Sequence, residues 1–154
     1  MGRDQDLRLK VWRCDPRASL PEKASPGAVG WDIRALEDTV VPPQAQVLVR
    51  TGLVIAAPPP YAMFLFPRSS LFRKKGLIFP HSAGIIDFDY CGAEDELKVP
   101  VLNLRAEPVL IKAGERIAQL VFLKVLVEAP WEVLEEPPTP SSRGGFGSTG
   151  GYHR

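Results

Sequence analysis

The sequence predicts an all-β protein, a sandwich or jelly-roll-like barrel of short strands with one short helix, and three observations predict it. Its 16 prolines, roughly twice the usual ~5%, are scattered through the chain and exclude long helices, since each lacks a backbone donor. The runs between them are short, rich in β-branched and aromatic residues, and bounded by Pro, Gly or Asn. Only residues 69–75 invite a helix, with Ser69 and Ser70 at the start and Gly76 as a stop.

In chain order, Leu7-Arg-Leu-Lys-Val11 alternates, so a strand with one buried face is expected there. Further strands are expected over 47–49, 53–55, 61–66, 97–104, 116–122 and 131–134. Many short, regularly punctuated strands close most readily into two layers or a barrel. The expected division is a β-barrel core over 1–136 and a spacer and tail over 137–154. Pro137-Pro-Thr-Pro-Ser-Ser142 is a stiff, extended spacer. Beyond it, five glycines surround Phe146 in the last twelve residues. Such a tail has no side chains to pack and is expected to be mobile, yet it offers a flat ring and unobstructed N–H groups to a base and phosphates.

At 154 residues the chain is expected to be one domain with a sizeable core. A net charge of +1 argues against a nucleic-acid-coating surface, so phosphate binding must come from a few placed residues. No apolar run approaches the roughly 20 residues that span a bilayer, and the charged N-terminus is unlike a signal peptide. Cys14 and Cys91 lack metal-ligand spacing and read as free thiols, which points to the cytoplasm. With only His81 and His153, a histidine metal site is not expected.

Four segments could carry chemistry. Gly84-Ile-Ile-Asp-Phe-Asp-Tyr90 holds two carboxylates and a tyrosine. Asp87 and Asp89 share a face if the segment is extended, but not in a tight hairpin. A carboxylate at a strand end can act as a general base, although Asp is also a common turn residue. Pro67-Arg-Ser-Ser70 combines hydroxyls with an arginine fork, as an anion site does, or is a plain Ser cap beside a solvated Arg. Asp32 lies between apolar residues and must be paired with a cation or lie near a metal, with the ion pair the better reading. Gln119 interrupts an apolar strand, a pattern usual for an outward-facing residue.

Together, and in this order, these segments resemble the trimeric dUTP diphosphatase family. Its five motifs correspond to Ala28-Val-Gly-Trp-Asp32, Pro67-Arg-Ser-Ser70, Ala83-Gly-Ile-Ile-Asp-Phe-Asp-Tyr-Cys-Gly92, Gly114-Glu-Arg-Ile-Ala-Gln-Leu120 and Arg143-Gly-Gly-Phe-Gly-Ser-Thr-Gly150. The resemblance implies a jelly-roll-like β-clip subunit, a homotrimer with shared active sites, and Mg²⁺-dependent hydrolysis of dUTP to dUMP and pyrophosphate. It casts Asp87 as the base that activates water and Tyr90 as the residue that crowds the ribose 2′ position. Asp32 would hold metal-bound water. Arg68, Ser69, Ser70 and Gln119 would contact phosphates, and the hairpin backbone, including Gly84 and Ile86, would read uracil. From the tail, Phe146 would stack on the base while Gly147 and Ser148 close over the nucleotide. Arg143 is the candidate γ-phosphate contact, with Arg154 as a substitute.

The chain departs from the family pattern at several points. Trp31 replaces a usual Tyr or Phe, Ser70 a frequent Gly, and Arg143 stands closer to Phe146 than is usual. The hairpin continues as Gly92-Ala-Glu-Asp-Glu-Leu-Lys98, longer and more acidic than usual, which fits a surface bulge or a subunit contact. The rival reading is a dCTP deaminase, alone or bifunctional, which shares the fold and has a similar Arg68-Ser-Ser-Leu-Phe-Arg73 segment. That chemistry needs a glutamate along the hairpin strand. Here the position is Pro100, or Asn103 once the longer hairpin is allowed for. A non-catalytic relative is disfavoured because Asp87 is present.

Overall fold

A computed structural model describes residues 7–142 and residue 144. Among these residues, eleven strands and one helix are formed: β1 Lys10–Arg13, β2 Trp31–Arg34, β3 Thr39–Val41, β4 Gln46–Arg50, β5 Leu53–Ala56, β6 Tyr61–Pro67, α1 Leu71–Lys75, β7 Leu77–Ile78, β8 Gly84–Ile86, β9 Lys98–Asn103, β10 Val109–Ile111 and β11 Arg116–Lys124. All pairings are antiparallel. They build a four-stranded sheet β2-β11-β6-β8, a three-stranded sheet β4-β9-β7, and the pairs β1-β5 and β10-β3. Inward residues of these sheets, among them Ile33, Val49, Leu65, Val101, Ile111 and Leu120, form one continuous core.

β11 is the longest strand, and it positions the candidate site because β2 and β6 flank it. Its alternation breaks near its start, where the register with β2 shifts between Arg116 and Ala118. Ile117 and Ala118 are consequently both buried, a bulge that period-2 reading does not anticipate. The helix expected over 69–75 forms as α1, led by Ser70 and closed by Gly76, whose N–H donates to Phe72 C=O at 2.7 Å. Ser70 makes no side-chain cap bond, while Arg73, Lys74 and Lys75 complement the negative end of the helix dipole.

Two expectations are corrected. The first strand runs over Lys10–Arg13, and all four of its residues are exposed rather than half-buried. Among the described residues it pairs only with β5, at the margin of the fold. Residues 131–134 form no strand despite their composition; Trp131 and Val133 are 97% and 92% exposed. A strand needs a partner edge as well as propensity, and the described chain offers this segment none.

Asn103 is wholly buried and joins three segments. Its amide donates to Val41 C=O at 3.0 Å and Glu107 C=O at 2.8 Å, and its side-chain oxygen accepts from Arg105 N–H at 2.9 Å. Truncation leaves these groups unpaired without water to replace Asn103. Asn103→Ala is therefore expected to destabilise the fold by roughly 2–4 kcal/mol. A lower urea midpoint at fixed protein concentration is the measurement; an unchanged midpoint would refute the role.

Candidate active site

Most of the sequence-predicted residues that the structure describes gather in two places. The first is a cleft of about 410 Å³ beside the β6-β8 edge, within the size range of small-ligand sites. Leu65, Ile86, Leu97 and Pro100 supply apolar walls, while Asp87, Tyr90, His81 and Lys98 bring polar groups. β8 ends at Ile86, so Asp87 begins a turn in which Tyr90 N–H donates to Asp87 C=O at 3.2 Å and Cys91 N–H to Asp89 C=O at 2.9 Å. The turn breaks strand alternation: both aspartates are exposed, and Asp87 lines the cleft while Asp89 does not. Tyr90 crosses the loop, its hydroxyl donating to Glu96 C=O at 3.1 Å. His81 and Lys98 carry no sequence signal, because both lie outside the motif that contains Asp87.

The longer hairpin is an anchored loop. Asp95 accepts from Gly92 N–H at 2.6 Å, and Glu96 is held by Arg50 on β4 and by Gly52 N–H at 2.8 Å. Asp95 thus braces the loop internally, and Glu96 ties it to the β4-β5 turn.

The second place joins the first, second and fourth motifs. Asp32 on β2 is buried; its carboxylate forms an ion pair with Arg68 Nε at 3.1 Å and accepts from Arg116 Nη1 at 3.2 Å. A buried carboxylate without a partner would be strongly destabilising, so this double pairing accounts for a charge between apolar residues. Arg116 was not singled out from sequence, although it lies in the fourth motif immediately after Gly114-Glu115. Gln119 stands opposite Asp32 in the β11-β2 register and is half-buried. Its amide donates to Pro67 C=O at 3.1 Å. Gly30 is needed beneath it, because a Cβ there would collide with the Gln119 amide oxygen. Three motifs thus become one packed unit.

Arg68 and Arg116 also line a depression of about 270 Å³ with Ser70, Lys74, Lys75 and Glu115, where cations outnumber acids. Such a surface attracts an anion. Lys75 is partly neutralised by Glu115 at 2.7 Å. Ser69 is exposed and lines a separate depression beside Phe72 and Phe79. Nearby, Arg34 holds the Glu22 carboxyl below its usual range. Lys23 sits 5.2 Å from the Trp31 ring centre, a cation–π contact at the first motif.

Among the described residues, no cluster of three or more His, Cys, Asp or Glu could hold a metal directly. Asp32 offers a single carboxylate whose two oxygens each face an arginine, so it would suit a cation only at one remove, through the water that Mg²⁺ retains. Arg143, Phe146, Gly147, Ser148 and Arg154 lie outside the described residues.

A dUTPase family model matches residues 16–150. The chain belongs to the dUTPase family. It is 44% identical over 147 residues to the deoxyuridine 5′-triphosphate nucleotidohydrolase of Thermobifida fusca, covering 95% of this chain and 80% of that one. The corresponding protein of Hydrogenobaculum sp. is 43% identical, covering 94% of this chain and 99% of its own. The dUTPase of Staphylococcus bacteriophage 80alpha, solved with dUPNHPP, superposes with a TM-score of 0.82 at 27% identity, covering 93% of this chain and 98% of that chain. The family's β-clip architecture agrees with the sheets described above. No helix among the described residues is long and apolar enough to cross a membrane.

Proposed function

We propose that this chain hydrolyses dUTP to dUMP and pyrophosphate, with Asp87 as the base. The carrying observation is a carboxylate at the rim of a small apolar cleft, one turn from a tyrosine ring. The nucleoside occupies that cleft, with the backbone around Gly84 and Ile86 facing uracil and Tyr90 against the sugar. Asp87 takes a proton from a water whose oxygen attacks the α-phosphorus. The bond from that phosphorus to the bridging oxygen breaks, and pyrophosphate leaves. Arg68, Ser69, Ser70 and Gln119 bind the phosphate chain. Asp32 keeps Arg68 oriented and would hold a hydrated Mg²⁺ through one of its waters. When bound with the substrate, Mg²⁺ supplies charge neutralisation to the triphosphate.

The hairpin cleft and the arginine cluster are separate in one chain and share no lining residue. This supports a homotrimer in which the cluster of one subunit faces the cleft of another and a third contributes its tail. There Phe146 stacks on uracil, Gly147 and Ser148 close over the nucleotide, and Arg143 reaches the γ-phosphate. The core over 1–136 supplies the first two parts, and residues 137–154 the third. Cys14 and Cys91, both free thiols, suit a reducing, cytoplasmic setting.

Incubation with Mg²⁺ and dUTP should release dUMP and pyrophosphate, whereas dCTP should yield no ammonia. Ammonia from dCTP would revive the deaminase reading. That reading is disfavoured by Pro100 in the cleft wall and by the structural, fully buried Asn103. Tyr90→Ala should narrow the ratio of kcat/KM for dUTP over UTP by about tenfold or more, since one lost steric clash with a hydroxyl is worth ~1–3 kcal/mol. An unchanged ratio would place sugar discrimination elsewhere.

A further inference from the structure

We propose that Glu96 is a positioning residue that fixes the Tyr90 ring and thereby sets discrimination between deoxyribonucleotide and ribonucleotide, an inference that rests on reading the Tyr90 cleft as the sugar subsite. Tyr90 is 42% exposed and lies in a turn outside any strand, so packing alone holds it weakly. Its hydroxyl is instead tied to the Glu96 main-chain carbonyl at 3.1 Å. The stiffness of that carbonyl decides where the ring can go.

Glu96 is held from both ends. Its side chain is only 12% exposed, and its two oxygens accept from Arg50 Nε at 3.2 and 3.1 Å. One of them also accepts from Gly52 N–H at 2.8 Å. On the other side of the carbonyl, Leu97 N–H donates to Leu53 C=O at 2.7 Å and Leu97 C=O accepts from Thr51 Oγ1 at 2.5 Å. Residues 50–53 therefore grip both the carboxylate and the peptide that follows. Gly52 can serve in this way because it adopts φ +70°, and a Cβ there would approach Ala18 Cβ to 2.9 Å. Charge-assisted bonds of this kind are roughly twice as strong as neutral ones. They transmit the rigidity of the β4-β5 turn to an otherwise loosely held phenol ring. Glu96 touches no reacting atom in this scheme, and Asp87 stays on the other arm of the turn.

The test compares kcat/KM for dUTP and UTP across folded variants. Glu96→Ala and Tyr90→Phe should each narrow the ratio by about tenfold, the loss expected for one charged or anchoring hydrogen bond. Glu96→Gln, which retains an acceptor for Gly52 N–H, should fall between parent and Glu96→Ala. In the Glu96 variants the kcat for dUTP should stay within about threefold, because Glu96 lies outside the cleft lining and Asp87 is untouched. Glu96→Ala added to Tyr90→Ala should change nothing further, since both remove one device. Val109→Ala, a core change remote from the cleft, controls for stability and should leave the ratio alone. If Glu96→Ala fails to fold, Arg50→Met carries the same expectation. Loss of discrimination in Tyr90→Ala with an unchanged ratio in Glu96→Ala or Arg50→Met overturns the positioning role alone. An unchanged ratio in Tyr90→Ala overturns it together with the sugar-subsite reading.

Discussion

Asp87→Asn is expected to lower kcat for dUTP by at least ~10²-fold while KM stays near the parent value, because a positioned general base contributes 10²–10⁴-fold. The amide preserves the shape of the carboxylate but has almost no proton affinity. Asp87 is exposed at the cleft rim and makes no side-chain ion pair among the described residues, so its replacement should leave the fold intact. The turn itself is held by backbone bonds, Tyr90 N–H to Asp87 C=O among them, which the substitution does not touch. Steady-state kinetics with unchanged thermal unfolding is the measurement. Near-parental turnover would remove Asp87 from the mechanism, whereas a large rise in KM alone would make it a binding residue.

Truncation after Pro140 is expected to leave a folded assembly with most of its activity gone, since Phe146 and the closing amides are removed. The body of the fold ends early: β11 finishes at Lys124, and Val125 N–H donates to Pro60 C=O at 2.9 Å. Residues 126–142 contain no strand or helix and are nearly all exposed. At about 3 Å per residue they could extend ~50 Å, enough to reach a neighbouring subunit. Mixing Asp87→Asn subunits that retain their tails with truncated subunits that retain Asp87 distinguishes the two arrangements. If the tail serves a neighbour's site, exchanged mixtures regain activity that neither parent has. If it serves its own, no site in the mixture holds both parts and no activity returns.

Much of the architecture is legible in the sequence. The strands around 47–49, 53–55, 61–66, 97–104 and 116–122 announce themselves through β-branched and aromatic runs, and the helix through its serine start and Gly76. β3, β7, β8 and β10 are two or three residues long, too short to show any period. The failure at residues 131–134 has another cause, since sequence reports what a segment could pair with and not whether an edge is available. At the site, Asp32 is ion-paired as its apolar neighbours imply, but neither of its partners, Arg68 and Arg116, can be read from the sequence. Spacing along the chain cannot reveal that β2 and β11 will be neighbours. Glu96 was hidden similarly: its role depends on Arg50 and Gly52, more than forty positions away.

The extra residue in β11 divides that strand into two stretches that read the inside–outside alternation in opposite phase. On the β2 side of the sheet, Arg116 and Gln119 can therefore serve the same carboxylate neighbourhood although they are three apart. Deleting Ile117 would restore a regular strand and rotate one stretch by half a turn. Either Gln119 would leave Pro67 or Arg116 would leave Asp32. Substitutions here can be absorbed one side chain at a time, but a change of length cannot. The tolerance of this enzyme to insertion and deletion should consequently be lowest at a strand whose individual side chains look unremarkable.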